Sequence, residues 1–116
     1  MGFEVYNISE GKILIAHSDE RVSIGTIEIY PRCELVKHNR PVVESLFQLN
    51  GICVMKIFDD DGSMNEVVLN EGDSIDIEVR KYHIHSNPYD SSSITFFKAN
   101  GDIRDIIAKI RKNSKM

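Results

Sequence analysis

Five residues of this chain carry side chains that could do chemistry together: His38, Arg40, Glu44, His83 and His85. In an extended segment alternate residues share a face. That rule sets His38 beside Arg40, and His83 beside His85, while Glu44 follows the first pair closely. If the two segments oppose each other inside a barrel, three imidazoles, one carboxylate and one guanidinium converge. Two imidazoles and a carboxylate form a facial set suited to Fe(II), Mn or a similar divalent ion. The fourth histidine, His17, ends an apolar run with no partner in the sequence and reads as a surface residue.

The elements that must position these groups are short β-branched and aromatic runs cut by turn residues. Strands are predicted at 3–6, 12–16, 23–30, 33–37, 43–49, 52–58, 66–69, 74–79, 82–86 and 94–98. Asn50-Gly51 is a strong turn dipeptide, so the runs on either side of it read as a hairpin. Asp59-Asp60-Asp61-Gly62 lacks the spacing and distal glutamate of a calcium loop and reads as another turn. The stretch 87–93 is the most loop-like and follows the histidine strand directly, which makes it a candidate rim over the site. One helix is predicted at about 102–112, with Asp102 as its N-cap. Ile103, Ile106, Ile107 and Ile110 repeat at helical spacing, a stripe suited to packing on the strands. Many short strands with tight turns argue for a barrel or a two-sheet sandwich.

The bulk composition narrows the function classes. At 116 residues the chain fits one domain, 1–116, with 41% hydrophobic and 28% charged residues. A net charge of -4 argues against nucleic acid or an anionic membrane as main partner. Lys109, Arg111, Lys112 and Lys115 cluster at the end, as a solvated helix terminus does. No apolar run has the length of a signal peptide core or a membrane span, and Tyr6 stands where a myristoylation signal needs Ser or Thr. Cys33 and Cys53 lie in apolar stretches without a CxxC pair, as buried thiols of a reducing cytoplasm would.

The spacing of these residues resembles the cupin superfamily. Its first motif runs Gly, five residues, His-x-His, three or four residues, Glu, six residues, Gly. Here Arg32 stands at the first Gly, His38 and Arg40 at the two His positions, then Glu44 and Gly51 in register. Its second motif runs Gly, five residues, Pro-x-Gly, two residues, His, three residues, Asn. Here Gly72, His83 and Asn87 match, while Glu78 and Arg80 replace Pro and Gly. The resemblance implies an all-β fold: a cupin-type double-stranded β-helix (jelly-roll barrel) over about 3–98, with one C-terminal α-helix.

Carried over residue by residue, the metal ligands would be His38, Glu44 and His83. Arg40 occupies the second His position, cannot ligate a cation and would repel one. Three arrangements stay open. A three-ligand divalent metal (Fe, Mn, Zn or Ni) could sit there with Arg40 turned to an anionic ligand. The site could be metal-free, with His83 or His38 as acid or base and Arg40 clamping phosphate or carboxylate. Or its polar groups are simply satisfied inside a barrel. His85 either compensates for the missing ligand, points into the same cavity or belongs to the core.

Within cupins the chain is most similar to the small WbuC-like cupin-fold metalloproteins encoded among bacterial O-antigen genes, through Arg40-Pro41, Glu44, Phe47, Gly51, 58–62 and Tyr82-His83. It resembles the dTDP-sugar isomerases and epimerases more loosely. These resemblances imply a cytoplasmic homodimer, paired through exposed strand edges, that binds or isomerises a small anionic carbohydrate derivative in surface-polysaccharide metabolism. A metal-dependent dioxygenase and a non-catalytic small-molecule-binding module are the alternatives.

Overall fold

A computed structural model of the chain describes residues 3–113. Met1, Gly2 and residues 114–116 lie outside the described residues, and with them Lys115 of the basic cluster. Ten strands and one helix follow in order: β1 (Glu4–Ile8), β2 (Gly11–Ser18), β3 (Ser23–Ile29), β4 (Cys33–Glu34), β5 (Glu44–Asn50), β6 (Cys53–Phe58), β7 (Met64–Leu69), β8 (Ser74–Ile77), β9 (His83–Asn87), β10 (Ser93–Ala99) and α1 (Arg104–Asn113). They form a six-stranded sheet in the order β1-β2-β3-β10-β5-β8 and a four-stranded sheet in the order β4-β9-β6-β7. Every pairing is antiparallel.

Alternation decides which residues face inward. Along β3, Ser23, Ile27 and Ile29 are buried, and along β10 Ser93, Thr95, Phe97 and Ala99 are. Along β5 the buried positions are Glu44, Leu46 and Gln48. Three levels follow inside the barrel. Leu46, Met55, Phe97 and their neighbours make the apolar middle. At one end Gln48 bonds Ser93 at 3.0 Å and Thr95 at 2.6 Å, so those polar groups are satisfied. At the other end stand Glu44 and the histidines.

The expected hairpin across Asn50-Gly51 does not form. β5 pairs with β10 and β8, whereas β6 pairs with β7 and β9, so the turn carries the chain from one sheet to the other. Gly51 has φ +70, and a Cβ there would meet Ser92 O at 2.4 Å. A crossing this tight admits only glycine. The expected strand at 33–37 contracts to two residues: beyond it Leu35 N–H bonds His85 O at 2.9 Å, and the chain then meets β9 at an isolated bridge between His38 and His83.

Helix α1 closes the site end of the barrel. Asp102 Oδ1 accepts the Arg104 N–H at 3.1 Å and caps the first turn. Ile103 and Ile107 are buried, and Ile106 and Ile110 pack against the same core. Burying the two inner isoleucines contributes roughly 1.5–3 kcal/mol each, which holds the helix down. Arg111 ties its far end to Glu4 at 3.0 Å.

Candidate metal centre

Three separate strand segments deliver the site. His83 and His85 are alternate residues of β9 and both point inward, 0% and 1% exposed. Glu44 opens β5 in the opposite sheet and is also buried. His38 comes from the irregular chain after β4, pinned by reciprocal backbone bonds with His83 of 3.0 and 2.8 Å. The four residues each offer one ligand atom, and these atoms all lie within 4.8 Å of one another. The sequence-based set of His38, Glu44 and His83 therefore meets in space, and His85 joins it as a fourth member.

Hydrogen bonds to the backbone orient two of the rings. His38 Nδ1 lies 2.9 Å from Val36 O, and His83 Nδ1 lies 2.8 Å from Lys81 O. A carbonyl accepts only, so each Nδ1 carries a proton and Nε2 is the ring atom left for a metal. Glu44 Oε1 is 3.6 Å from His83 Nε2 and 3.5 Å from His85 Nε2. These are beyond good hydrogen-bond lengths. They match the spacing of atoms that share one ion through bonds of about 2.1 Å.

Unsatisfied atoms make the same point. Among the described residues, the buried side-chain atoms left without a hydrogen-bond partner are Glu44 Oε1, His83 Nε2 and both ring nitrogens of His85. Each such atom costs about 1–3 kcal/mol. Orphans that all belong to one convergent cluster of metal-ligand types fit a divalent cation.

The charge state suits a cation as well. Burial alone would raise the Glu44 carboxyl, but the imidazoles of His83 and His85 reverse this and hold it well below its usual range. Burial lowers His85. Burial and then the Arg40 guanidinium push His38 down to about 3. At neutral pH Glu44 is thus a carboxylate, and His38 and His85 are neutral donors.

Arg40 lies beside the cluster rather than in it. A chamber of about 40 Å³ touches His38, Glu44, His85 and Arg40 and is otherwise lined by apolar side chains, among them Ile15, Ile27, Phe97, Ile103 and Ile107. A second cavity of about 300 Å³ lies next to it and shares Ile13, Leu35, His38, Arg40 and Ile110. A third, open groove of about 610 Å³ runs past Arg40, Arg80, Asp102, Asp105 and Lys109. The 87–93 loop lines none of these cavities, contrary to expectation. Asn87 folds inward and donates to Ile29 O, Tyr30 O and Ser91 O, which ties the loop down at the opposite end of the barrel. The rim is instead α1 and the β1–β2 turn, with Ile8, Ser9 and Glu10. Sequence reasoning read the isoleucine stripe as packing on the strands, with an interface as the lesser alternative, and nothing in its spacing marks it as a cavity wall.

The two arginines that replace motif glycines fix the register. Arg32 has φ +64 and Arg80 has φ +62, the same left-handed backbone as Gly51 and Gly72. Each stands third in a turn, closed by Cys33 N–H to Tyr30 O at 3.2 Å and by Lys81 N–H to Glu78 O at 3.1 Å. That position requires positive φ in a type II turn. At both positions an arginine holds a backbone geometry that glycine adopts more readily.

These features define a cupin-type double-stranded β-helix with a site that could hold a divalent metal. Solved structures agree on the fold. Oxalate decarboxylase superposes with a TM-score of 0.77 at 20% identity, covering 85% of this chain and 28% of that one. One such structure addresses the Mn(II) centres of the Bacillus subtilis enzyme, with the same figures. Oxalate oxidase in complex with glycolate superposes at 0.65 with 17% identity, covering 69% of this chain and 42% of that one. The chain thus spans less than half the length of either. No family model matches the chain, and no curated protein matches it. Among the described residues no helix is long and apolar enough to cross a membrane.

Proposed function

We propose that this chain is a small metal-binding cupin in which His38, Glu44, His83 and His85 hold one divalent ion and Arg40 draws an anionic small molecule to it. The observation that carries the reading is the convergence of four ligand types, three of them, Glu44, His83 and His85, buried with unsatisfied atoms. A bound ion of this kind supplies Lewis acidity or, for Fe and Mn, redox chemistry. His38 and His83 are held by Val36 O and Lys81 O in the tautomer that presents Nε2. His85 restores the imidazole that Arg40 displaces from the cupin motif. Helix α1 and the surrounding isoleucines exclude water and strengthen every electrostatic contact inside.

The comparison proteins support a metal and a small anion, since one is described with Mn(II) centres and another with glycolate bound. The roles of His83 and His38 as proton carriers, in an isomerase or epimerase of a carbohydrate derivative, rest on the sequence resemblance. The apolar cavity lining gives them less support than it gives the metal. A reducing, cytoplasmic setting is supported by Cys33 and Cys53 being free thiols. Pairing of two copies is supported by the outer strands β1, β8, β4 and β7, each with an unpaired edge.

Metal content after purification without chelator tests the proposal. One equivalent of transition metal is expected, lost in His83→Ala. A metal-free protein that takes up none of Mn(II), Fe(II), Ni(II) or Zn(II) on dialysis would refute it.

A further inference from the structure

We infer that the ligand of this site is a small carboxylate with an apolar, unhydroxylated body, its head held by Arg40 beside the histidine cluster and its body in the isoleucine-lined cavity. The inference rests on reading the cluster as a ligand-binding centre and goes beyond it in naming the chemical class.

The head follows from Arg40. Arg40 lines both the inner chamber of about 40 Å³ and the outer cavity of about 300 Å³. Its own hydrogen bond goes to Asn39 O at 3.2 Å, and it forms no salt bridge among the described residues. Glu44 acts on it through space without a direct ion pair, so the N–H fork of this half-buried guanidinium is open to a carboxylate. Glu10 lines the outer cavity and not the inner chamber. Arg40 is the cation common to both spaces, set against Glu10 outside and Glu44 inside; a divalent ion held by Glu44 and the histidines would offset the inner carboxylate, leave the inner end positive and turn a carboxylate head inward.

The body follows from the walls. Ile8, Ile13, Leu35, Val36 and Ile110 surround the outer cavity, whose polar groups besides His38 and Arg40 are Ser9, Glu10 and Asn113 at its outer end. A hydroxyl placed against the isoleucines loses water and finds no partner, which weakens binding about tenfold for each one. A methyl or methylene there gains instead. The volume lies at the lower edge of small-molecule pockets, so the ligand is small. The open groove beyond Arg40 is the alternative seat for a phosphorylated ligand, but Asp102 and Asp105 oppose its Arg80 and Lys109.

Calorimetric titration of the whole chain, metal-free and Mn(II)-loaded, tests this with four probes: isovalerate, threonate, isoamyl alcohol and thymidine diphosphate. Isovalerate is expected to bind at least tenfold more tightly than any of the others. Arg40→Gln should cost isovalerate at least tenfold and leave isoamyl alcohol unchanged, while Arg40→Lys should retain part of the carboxylate preference. Threonate or thymidine diphosphate binding as tightly as isovalerate overturns the inference, as does an Arg40→Gln protein with undiminished isovalerate affinity. A chain that takes up no metal yet prefers isovalerate refutes only the metal reading. A chain that binds metal but does not discriminate among the probes refutes only the inference.

Discussion

Replacing His85 by leucine separates a metal ligand from a core histidine. Neither ring nitrogen of His85 has a hydrogen-bond partner, and the residue is 1% exposed. Leucine has nearly the same volume, so His85→Leu in metal-free protein removes two orphaned polar atoms and creates no cavity. Each orphan costs about 1–3 kcal/mol, and the loss of the imidazole 3.5 Å from Glu44 offsets part of the gain. The net expectation is a metal-free variant more stable by about 1 kcal/mol, or roughly 4 °C in Tm for a chain of this size. Metal reverses the order. An ion present at a thousand times its Kd stabilises the wild type by about 4 kcal/mol. A hundredfold loss of affinity on losing a ligand removes about 2.7 kcal/mol of that. The variant should then melt about 7 °C below wild type in saturating metal, having melted above it in chelator. Differential scanning calorimetry under the two conditions reads both signs. A variant destabilised equally with and without metal would show that His85 is a packing residue and would refute the reasoning.

The same geometry yields three more expectations. Arg40→His, added to His85→Leu, should recover at least tenfold in metal affinity by titration, because position 40 lines the same chamber as Glu44 and returns the motif's own imidazole. Arg80→Gly should stabilise by about 0.5–1 kcal/mol in urea unfolding while Arg80→Ala stays near zero, since only glycine relieves φ +62; Arg32→Gly should gain less, because Arg32 also holds Asp90 at 2.7 Å. His38 has a folded value near 3 against 6.5 for the free side chain, so the unfolded chain protonates first as pH falls. Its contribution is complete above about pH 6.5 and declines by up to about 1.4 kcal/mol per pH unit toward pH 3. Urea midpoints in chelator from pH 7.5 to 5 should show at least that slope, and His38→Asn should reduce it, leaving the part that comes from the buried His85.

The strands were legible because half-buried sheets write a period of two into the sequence. SIGTIEI of β3 and SITFFKA of β10 alternate in the residues and in their burial alike. The pairing of β5 was not legible. Asn50-Gly51 has the chemistry of a hairpin turn, but Gly51 serves a crossing between sheets, and only the partner backbone at Ser92 reveals it. Local turn chemistry fixes a φ value and leaves the choice of partner strand to packing. The rim failed for a similar reason. A loop adjacent in sequence to His83 runs to the far end of β9, and five residues of strand are enough to put it there.

The clustering of His38, Glu44 and His83 was legible through spacing, and the departure at Arg40 proves informative. A guanidinium at a ligand position argues against a metal only if the ligand count falls with it. His85 offers a replacement imidazole, two residues beyond His83 on the same inward face of β9. The chain therefore keeps three imidazoles and one carboxylate while gaining a fixed positive charge at the chamber wall. Close positive charge weakens any cation's binding, and the buried Glu44 carboxylate offsets one unit of it. With an ion bound, ion and guanidinium together would leave the chamber electropositive, and the surrounding isoleucines would keep solvent from screening that charge. An anion entering from the outer cavity relieves the repulsion between Arg40 and the ion, so anion and metal should each tighten the binding of the other.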